Sequence, residues 1–423
     1  MEKWSNYHDE TIALHCCYER DREKGVQVPI YMTTAYLYDS VEDAAQLFNL
    51  EKEGNIYTRI GNPTTRVFEK RITALEGGVD GVATASGMGA IFYAVTNLAG
   101  EGDNFLISTK LYGGTITLLT QTLARFGIEA RYFEPTDPAT LENQIDERSK
   151  GILFESIANP SLVVADIPAI VEVANHHQLI TICDNTLATP YGLKPLQMGV
   201  DVVVHSASKY ITGNGTAILG VVVEGKSAAG KLKGERYPHF NTPDPSYHGL
   251  VYTEKFSDTP FSARVRLALL RDFGAVPSPF NSWLGILGLE HLHLRWSRHS
   301  ENGVKIAQFL QTHPLVSEVN YPTFSQLGQK LLKNGGGGIL SFQLPDYQTA
   351  TRFVSRLKLF KLVTNISDSR SLVTHPASTT HQQLSREELK RAGVPEGLIR
   401  LSVGLEHWED LVADLEQALE GAK

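Results

Sequence analysis

The sequence predicts an α/β fold: a large, mostly parallel seven-stranded sheet with helices on its faces, followed by a smaller C-terminal α+β domain. Two observations predict it. Between Val79 and about Val223, short apolar runs alternate with helical stretches, as a parallel sheet with crossover helices requires. With 423 residues, 42% hydrophobic and 20% charged, the chain is long enough for two or three domains with substantial cores, which excludes disordered and fibrous classes.

The elements follow in order. Residues 1–62 are polar, irregular and too poor in core residues to fold alone, so they are expected to form an arm contacting a neighbouring subunit. The turn Gly61-Asn62-Pro63 opens a helix with Val67, Ile72 and Leu75 on its apolar side. Apolar strands are read at 81–85, 104–108, 128–133, 151–155, 179–183, 201–205 and 217–223. Asp166-Ile167-Pro168, an N-cap with proline in the first turn, is the cleanest helix start. Residues 225–263 break the alternation, and a connection this long inside a compact domain is expected to be a lid or a subunit contact. The C-terminal part reads as a long helix from about Pro279 to His313, strands around 316–320 and 338–344, a helix over 347–357 and a last helix from Trp408 to Leu419. The expected division is an arm at 1–62, an α/β domain at 63–265 and an α+β domain at 266–423.

Charge and composition narrow the partners. A net charge of −8 with no run of like charges gives no field for nucleic acid or an anionic membrane. No stretch of 18 apolar residues occurs, and Met1-Glu2-Lys3-Trp4-Ser5-Asn6 lacks the apolar core of a signal peptide. A small-molecule partner and a cytoplasmic location are expected. Cys16 and Cys17 are adjacent and Cys183 lies in an apolar run, so the cysteines are expected to form no disulfide framework and no metal pair. His248, His291, His293 and His299 lack metal-ligand spacing; no metal is expected, and the last three are assigned to solvent or subunit contacts.

Polar groups gather where the strands end. Ser86-Gly87-Met88-Gly89 lies between a strand and an apolar helix, where backbone N–H groups and the helix N-terminus suit a phosphate. Its spacing is not that of a dinucleotide loop. Asn159-Pro160 follows the strand ending at Glu155, Asp184-Asn185-Thr186 follows the next, and Val202-Val203-Val204 runs into His205-Ser206-Ala207-Ser208-Lys209-Tyr210. Open α/β sheets place their chemistry at this edge. A lysine and an aspartate there are the groups that pyridoxal 5'-phosphate (PLP) needs: Lys209 to hold it as a Schiff base, Asp184 to keep its pyridine nitrogen protonated.

These stretches, together with Arg59 through Thr64, Leu111-Tyr112-Gly113-Gly114 and Arg400-Leu401-Ser402-Val403-Gly404-Leu405-Glu406, resemble in order the Cys/Met-metabolism family of PLP enzymes, over residues 10 to 420. The resemblance implies fold type I of the PLP-dependent transferases. It implies that Lys209 binds the cofactor and shuttles protons, that Asp184 pairs with the pyridine nitrogen, that Asn159 bonds the ring hydroxyl, and that Tyr112 stacks on the ring and aids proton transfer. The phosphate would take the N–H groups of Gly87 and Met88, the hydroxyls of Ser206 and Ser208, and Tyr57 and Arg59 from a neighbouring subunit. Arg400 would hold the substrate α-carboxylate, with Asn365 and Arg370 beside it.

Within the family, the 225–263 insertion and the run from Thr364 to Pro376 resemble the homoserine-ester sulfhydrylases, which take O-acetylhomoserine and sulfide to homocysteine and acetate. Departures are Ser208 where many members have Thr, Asn214 where sulfhydrylases often have His, Ser367 where they usually have Gly, and Arg370 where several lyases have Glu. A methionine γ-lyase or cystathionine enzyme, another homoserine ester such as O-succinylhomoserine, and a non-catalytic homologue are the alternatives. The sulfur donor and the choice of dimer or tetramer stay open.

Overall fold

The computed structural model of the chain describes residues 4, 6–20, 22–379, 382, 387, 389 and 393–423, so residues 1–3, 5 and 21 of the expected arm lie outside it. The large sheet has the seven expected strands: β1 (Asp80–Thr84), β2 (Asn104–Ser108), β3 (Glu129–Phe133), β4 (Ser149–Glu155), β5 (Ile180–Asp184), β6 (Val202–Ser206) and β7 (Gly220–Glu224). Their order is β1-β7-β6-β5-β4-β2-β3, and β7 alone runs against its neighbours β1 and β6. Every other strand therefore directs its carboxyl end to one edge. Val202, Val203 and Val204 of β6 are fully buried, as expected of a strand covered on both faces. Each such side chain contributes about 1.5–3 kcal/mol of burial, which fixes where the strand stops and its polar continuation starts.

The arm contains α1 (Asp9–His15) and α2 (Val41–Phe48). In α3 (Pro63–Glu76), Asn62 accepts from the N–H groups of Thr64 and Thr65, and Gly77 at φ +76° ends the helix. Helix α4 (Gly87–Thr96) starts earlier than its apolar run suggests, because Ser86 caps it by accepting from Gly89 N, so the glycines form its first turn. Asp166 caps α5 (Ile167–His176) as expected.

The single long helix expected from 279 to 313 is two, α6 (Pro279–Glu290) and α7 (Leu292–Thr312), broken at His291 with φ −113° and ψ 7°. Ile286, Leu289, Leu292 and Trp296 pack in the core under the large sheet, whereas Ile306, Ala307 and Leu310 pack in a second core. Position 265/266, where the boundary is expected, lies inside the helical run Pro260 to Phe273, and the buried residues pass from one core to the other within α7. Apolar spacing marks a buried face without saying which core it joins. The second core is covered by β8 (Glu318–Asn320), β9 (Ile339–Gln343), β10 (Lys361–Leu362), β11 (Leu372–Thr374) and β12 (Leu398–Ser402), in the order β10-β11-β12-β9-β8, and by α8 (Trp408–Glu420).

Cys16 and Cys17 are chain neighbours that tie no separate segments together, and Cys183 is free and buried. One sequence expectation is corrected. His299 is fully buried rather than a solvent or subunit contact, with Nδ1 2.7 Å from the Val403 carbonyl.

Helix α6 approaches the loop after Lys209 so closely that a Cβ on Gly288 would lie 1.9 Å from the Ile211 carbonyl oxygen. Gly288→Ala is expected to cost about 1–3 kcal/mol by forcing this contact apart, read as a lower denaturant midpoint at unchanged slope.

Candidate functional site

Where the strands β1, β2, β4, β5 and β6 end, their continuations surround a cavity of about 430 Å³, within the range of small-molecule sites. Ser86, Gly87 and Met88 enter it after β1, Tyr112 after β2, Glu155 and Asn159 from β4, Asp184 and Thr186 from β5, and Ser206, Ser208 and Lys209 from β6. The smaller domain closes it with Thr364, Asn365, Ile366 and Arg400.

Lys209 Nζ donates to Asn365 Oδ1 at 2.7 Å. Removal from water lowers the lysine's pKa, and the charge of Arg400 lowers it further. Arg400 is 3% exposed, and among the described residues its hydrogen-bond partners are all neutral. It donates to Asn159 Oδ1 at 2.8 Å, Thr374 Oγ1 at 3.1 Å and the Asn365 carbonyl at 3.3 Å. Its pKa falls to about 10, chiefly through burial. A buried, bidentate cation bonded only to neutral groups is poised for a carboxylate from outside.

Asp184 accepts from Thr186 N at 2.9 Å. Burial raises its pKa, opposed by Thr186 and by the charge of His205. Behind it, Glu76 lies 2.6 Å from His205 Nε2 and accepts from Asn185 Nδ2 at 2.9 Å. Across the edge, the first turn of α4 meets Ser206, where a Cβ on Gly87 would lie 2.5 Å from the serine Cβ. The first amides of a helix have no partner in the helix, which leaves this turn open to an anion. Ser208 Oγ is engaged with Leu219, accepting from its N–H at 2.9 Å and donating to its carbonyl at 3.2 Å.

The sequence profile of the Cys/Met metabolism PLP-dependent enzymes matches residues 10–420. The chain belongs to this family. Curated relatives of this Cys/Met-metabolism enzyme include an O-acetyl-L-homoserine sulfhydrylase of Leptospira meyeri, 42% identical over 98% of this chain and 97% of the relative. A homocysteine synthase of Schizosaccharomyces pombe is 43% identical over 98% and 99%. Among solved structures, a putative O-acetylhomoserine (thiol)-lyase of Campylobacter jejuni, containing N'-pyridoxyl-lysine-5'-monophosphate, matches with a TM-score of 0.96 and 49% identity, covering 98% of this chain and 100% of that one.

PLP is the cofactor of this family member, and the residues present fit it. The cavity offers an amine of lowered pKa, an acid at a strand end, an aromatic ring and an open helix N-terminus; only a glycine at 87 leaves room beside Ser206. Asn159 has its oxygen on Arg400, which leaves its N–H₂ to donate.

Three sequence-expected residues are not brought to the cavity. Tyr57 is 41% exposed, with the Arg59 guanidinium 5.6 Å from its ring centre, and Arg59 donates to the Arg271 carbonyl. The Arg370 side chain is 72% exposed and paired with Asp368 at 3.2 Å, outside the cavity lining. Nor does any residue of 225–263 line the cavity; the segment, expected as a lid or a subunit contact, folds as short helices with Phe240, Tyr252 and Phe261 buried beside the sheet. Conversely, Thr186, Thr364 and Glu155 line the site without having been singled out. Glu155 was visible as an acid ending an apolar strand, the same signal that marked Asp184.

Because burial is the larger cause of the lysine shift and Arg400 the smaller, Arg400→Gln is expected to move the Lys209 pKa upward while leaving it below that of a free lysine. The pH dependence of Lys209 labelling in cofactor-free protein, read by mass spectrometry, is expected to shift to higher pH.

Proposed function

We propose that the chain catalyses a γ-replacement in which sulfide displaces acetate from O-acetylhomoserine, giving homocysteine. The observation that carries this is near full-length likeness to O-acetylhomoserine sulfhydrylases and a homocysteine synthase, on a cavity that joins Lys209, Asp184 and Arg400. The exposed Arg370 removes its charge as a reason to prefer an ester over cystathionine, so the relatives carry the choice of substrate.

Bound PLP supplies an electron sink for charge developing at the substrate's Cα. In this reading Lys209 binds the cofactor covalently and afterwards carries protons at Cα and Cβ, a task its lowered pKa suits. Asp184 keeps the pyridine nitrogen protonated, and the Asn159 amide donates to the ring hydroxyl. Tyr112 covers the ring and handles the proton near the leaving acetate. The N–H groups of Gly87 and Met88 and the Ser206 hydroxyl receive the phosphate, while Ser208 acts mainly by fixing the loop against Leu219. Arg400 takes the α-carboxylate, and Asn365 orients Lys209 and the substrate.

The reading includes self-association as a dimer or tetramer. Apart from Lys209 and Arg400, no cationic side chain lines the cavity among the described residues, so a phosphate at α4 has no guanidinium of its own chain beside it. Tyr57 and Arg59, exposed on an arm that also exposes Val26, Met32, Leu37 and Val41, are placed to serve a second copy. A cytoplasmic location, in keeping with small polar metabolites, completes the proposal. No described helix is long and apolar enough to cross a membrane.

With O-acetylhomoserine and sulfide, the protein is expected to release homocysteine and acetate, and with methionine alone to release little methanethiol. The reverse preference overturns the assignment. Lys209→Ala is expected to lose roughly a thousandfold in kcat, about 4 kcal/mol. Mixing Lys209→Ala chains with Arg59→Ala chains is expected to give activity above either parent, and no gain overturns the shared site.

A further inference from the structure

Glu155 lines the cavity and has no role so far. It ends β4 directly opposite Asp184, its register partner on β5, and is 7% exposed. One carboxylate oxygen accepts from Tyr112 N at 2.6 Å and the other from Asn159 N at 2.9 Å. Tyr112 leaves β2 and Asn159 leaves β4, so a single side chain fixes two walls that arrive by different strands.

We propose that Glu155 is a positioning residue of the cofactor site, whose two carboxyl oxygens hold the backbones of Tyr112 and Asn159 at a set distance from Asp184 and from each other. The inference rests on the reading of Lys209 and Asp184 as cofactor groups.

Three physical points support it. An acid buried at a strand end beside a second acid opposes folding, and an apolar residue would fill the place at lower cost. Burial, and then the charge of Asp184, push the Glu155 carboxyl well above the usual carboxylate range. The two N–H bonds are therefore what the carboxyl gives in return. Only a group with two acceptors can make them: glutamine would set its N–H₂ against one of the two amides. The clamp extends further, because the Asn159 side chain that it orients receives Arg400 at 2.8 Å. Through one link, Glu155 thus also places the guanidinium assigned to the substrate carboxylate. The Tyr112 ring lies close against Gly114, where a Cβ would come within 2.5 Å of it, so only glycine there leaves the ring this position.

The test uses the PLP-loaded protein and its Glu155→Gln and Glu155→Asp variants. Circular dichroism in the cofactor band reports how the ring is held, and cofactor release on dilution reports affinity. Glu155→Gln is expected to lose most of the cofactor-band ellipticity and to release PLP at least tenfold faster, with cofactor-free protein melting within a few degrees of the parent. The shorter Glu155→Asp keeps two acceptors but cannot reach both amides; it is expected to show the same changes, less severely, and it serves if the glutamine variant fails to fold. Ellipticity and release equal to the parent in a folded variant would overturn the proposal. So would faster release matched by an equal loss of stability in the cofactor-free protein, since that marks a residue of the fold alone. A parent protein that binds no PLP would overturn the cofactor reading itself, a result distinct from an unaffected variant of a loaded parent.

Discussion

The site depends on one constraint: strands buried on both faces must stop together. β4, β5 and β6 lie side by side with buried apolar interiors; Glu155 and Asp184 end β4 and β5 opposite each other, and β6 runs from Val204, the register partner of Asp184, two residues on to Ser206. β1 reaches the same edge because β7, inserted between β1 and β6, reverses direction twice across the pair. Packing of valines and isoleucines thus determines where polar atoms meet.

The smaller domain supplies what the sheet edge lacks. A parallel sheet offers backbone amides, hydroxyls and acids at its carboxyl end, and here its cation is Lys209. Arg400 comes from the middle of β12, flanked in register by Thr374 and Ser341, and reaches across to Asn159. Its support comes wholly from neutral acceptors, which leaves its charge uncompensated in a low-dielectric place. The cost of that arrangement is carried by the two sheets that hold it.

The seven large-sheet strands were legible because each is a compact apolar run bounded by turn residues. Asp184 and Lys209 were legible because an ionisable group at the end of such a run is expensive unless it has a task. Glu155 carried the same signal but was not followed, since an acid beside Asp184 has no evident partner until Tyr112 folds back over it. The short strands β10 and β11 escaped detection because two or three residues give no period to read, and Arg400 on β12 was found through its motif alone. Arg370 stands apart from the cavity, because chain proximity to Asn365 says nothing about which side of the loop a side chain takes. The arm residues Tyr57 and Arg59, expected at a neighbouring subunit's site, lie away from this chain's cavity.

The bond between Lys209 and Asn365 has a consequence for the order of events in the protein's life. The lysine nitrogen that rests on Asn365 belongs to the large domain, and the oxygen that receives it belongs to the small one. Any covalent use of that nitrogen takes hydrogens from it and draws it toward the sheet edge. Arg400 on Asn159 and Ser369 on Asn214 join the same segments, so the lysine bond is one fastening among several, and it is the one that covalent use of the lysine gives up.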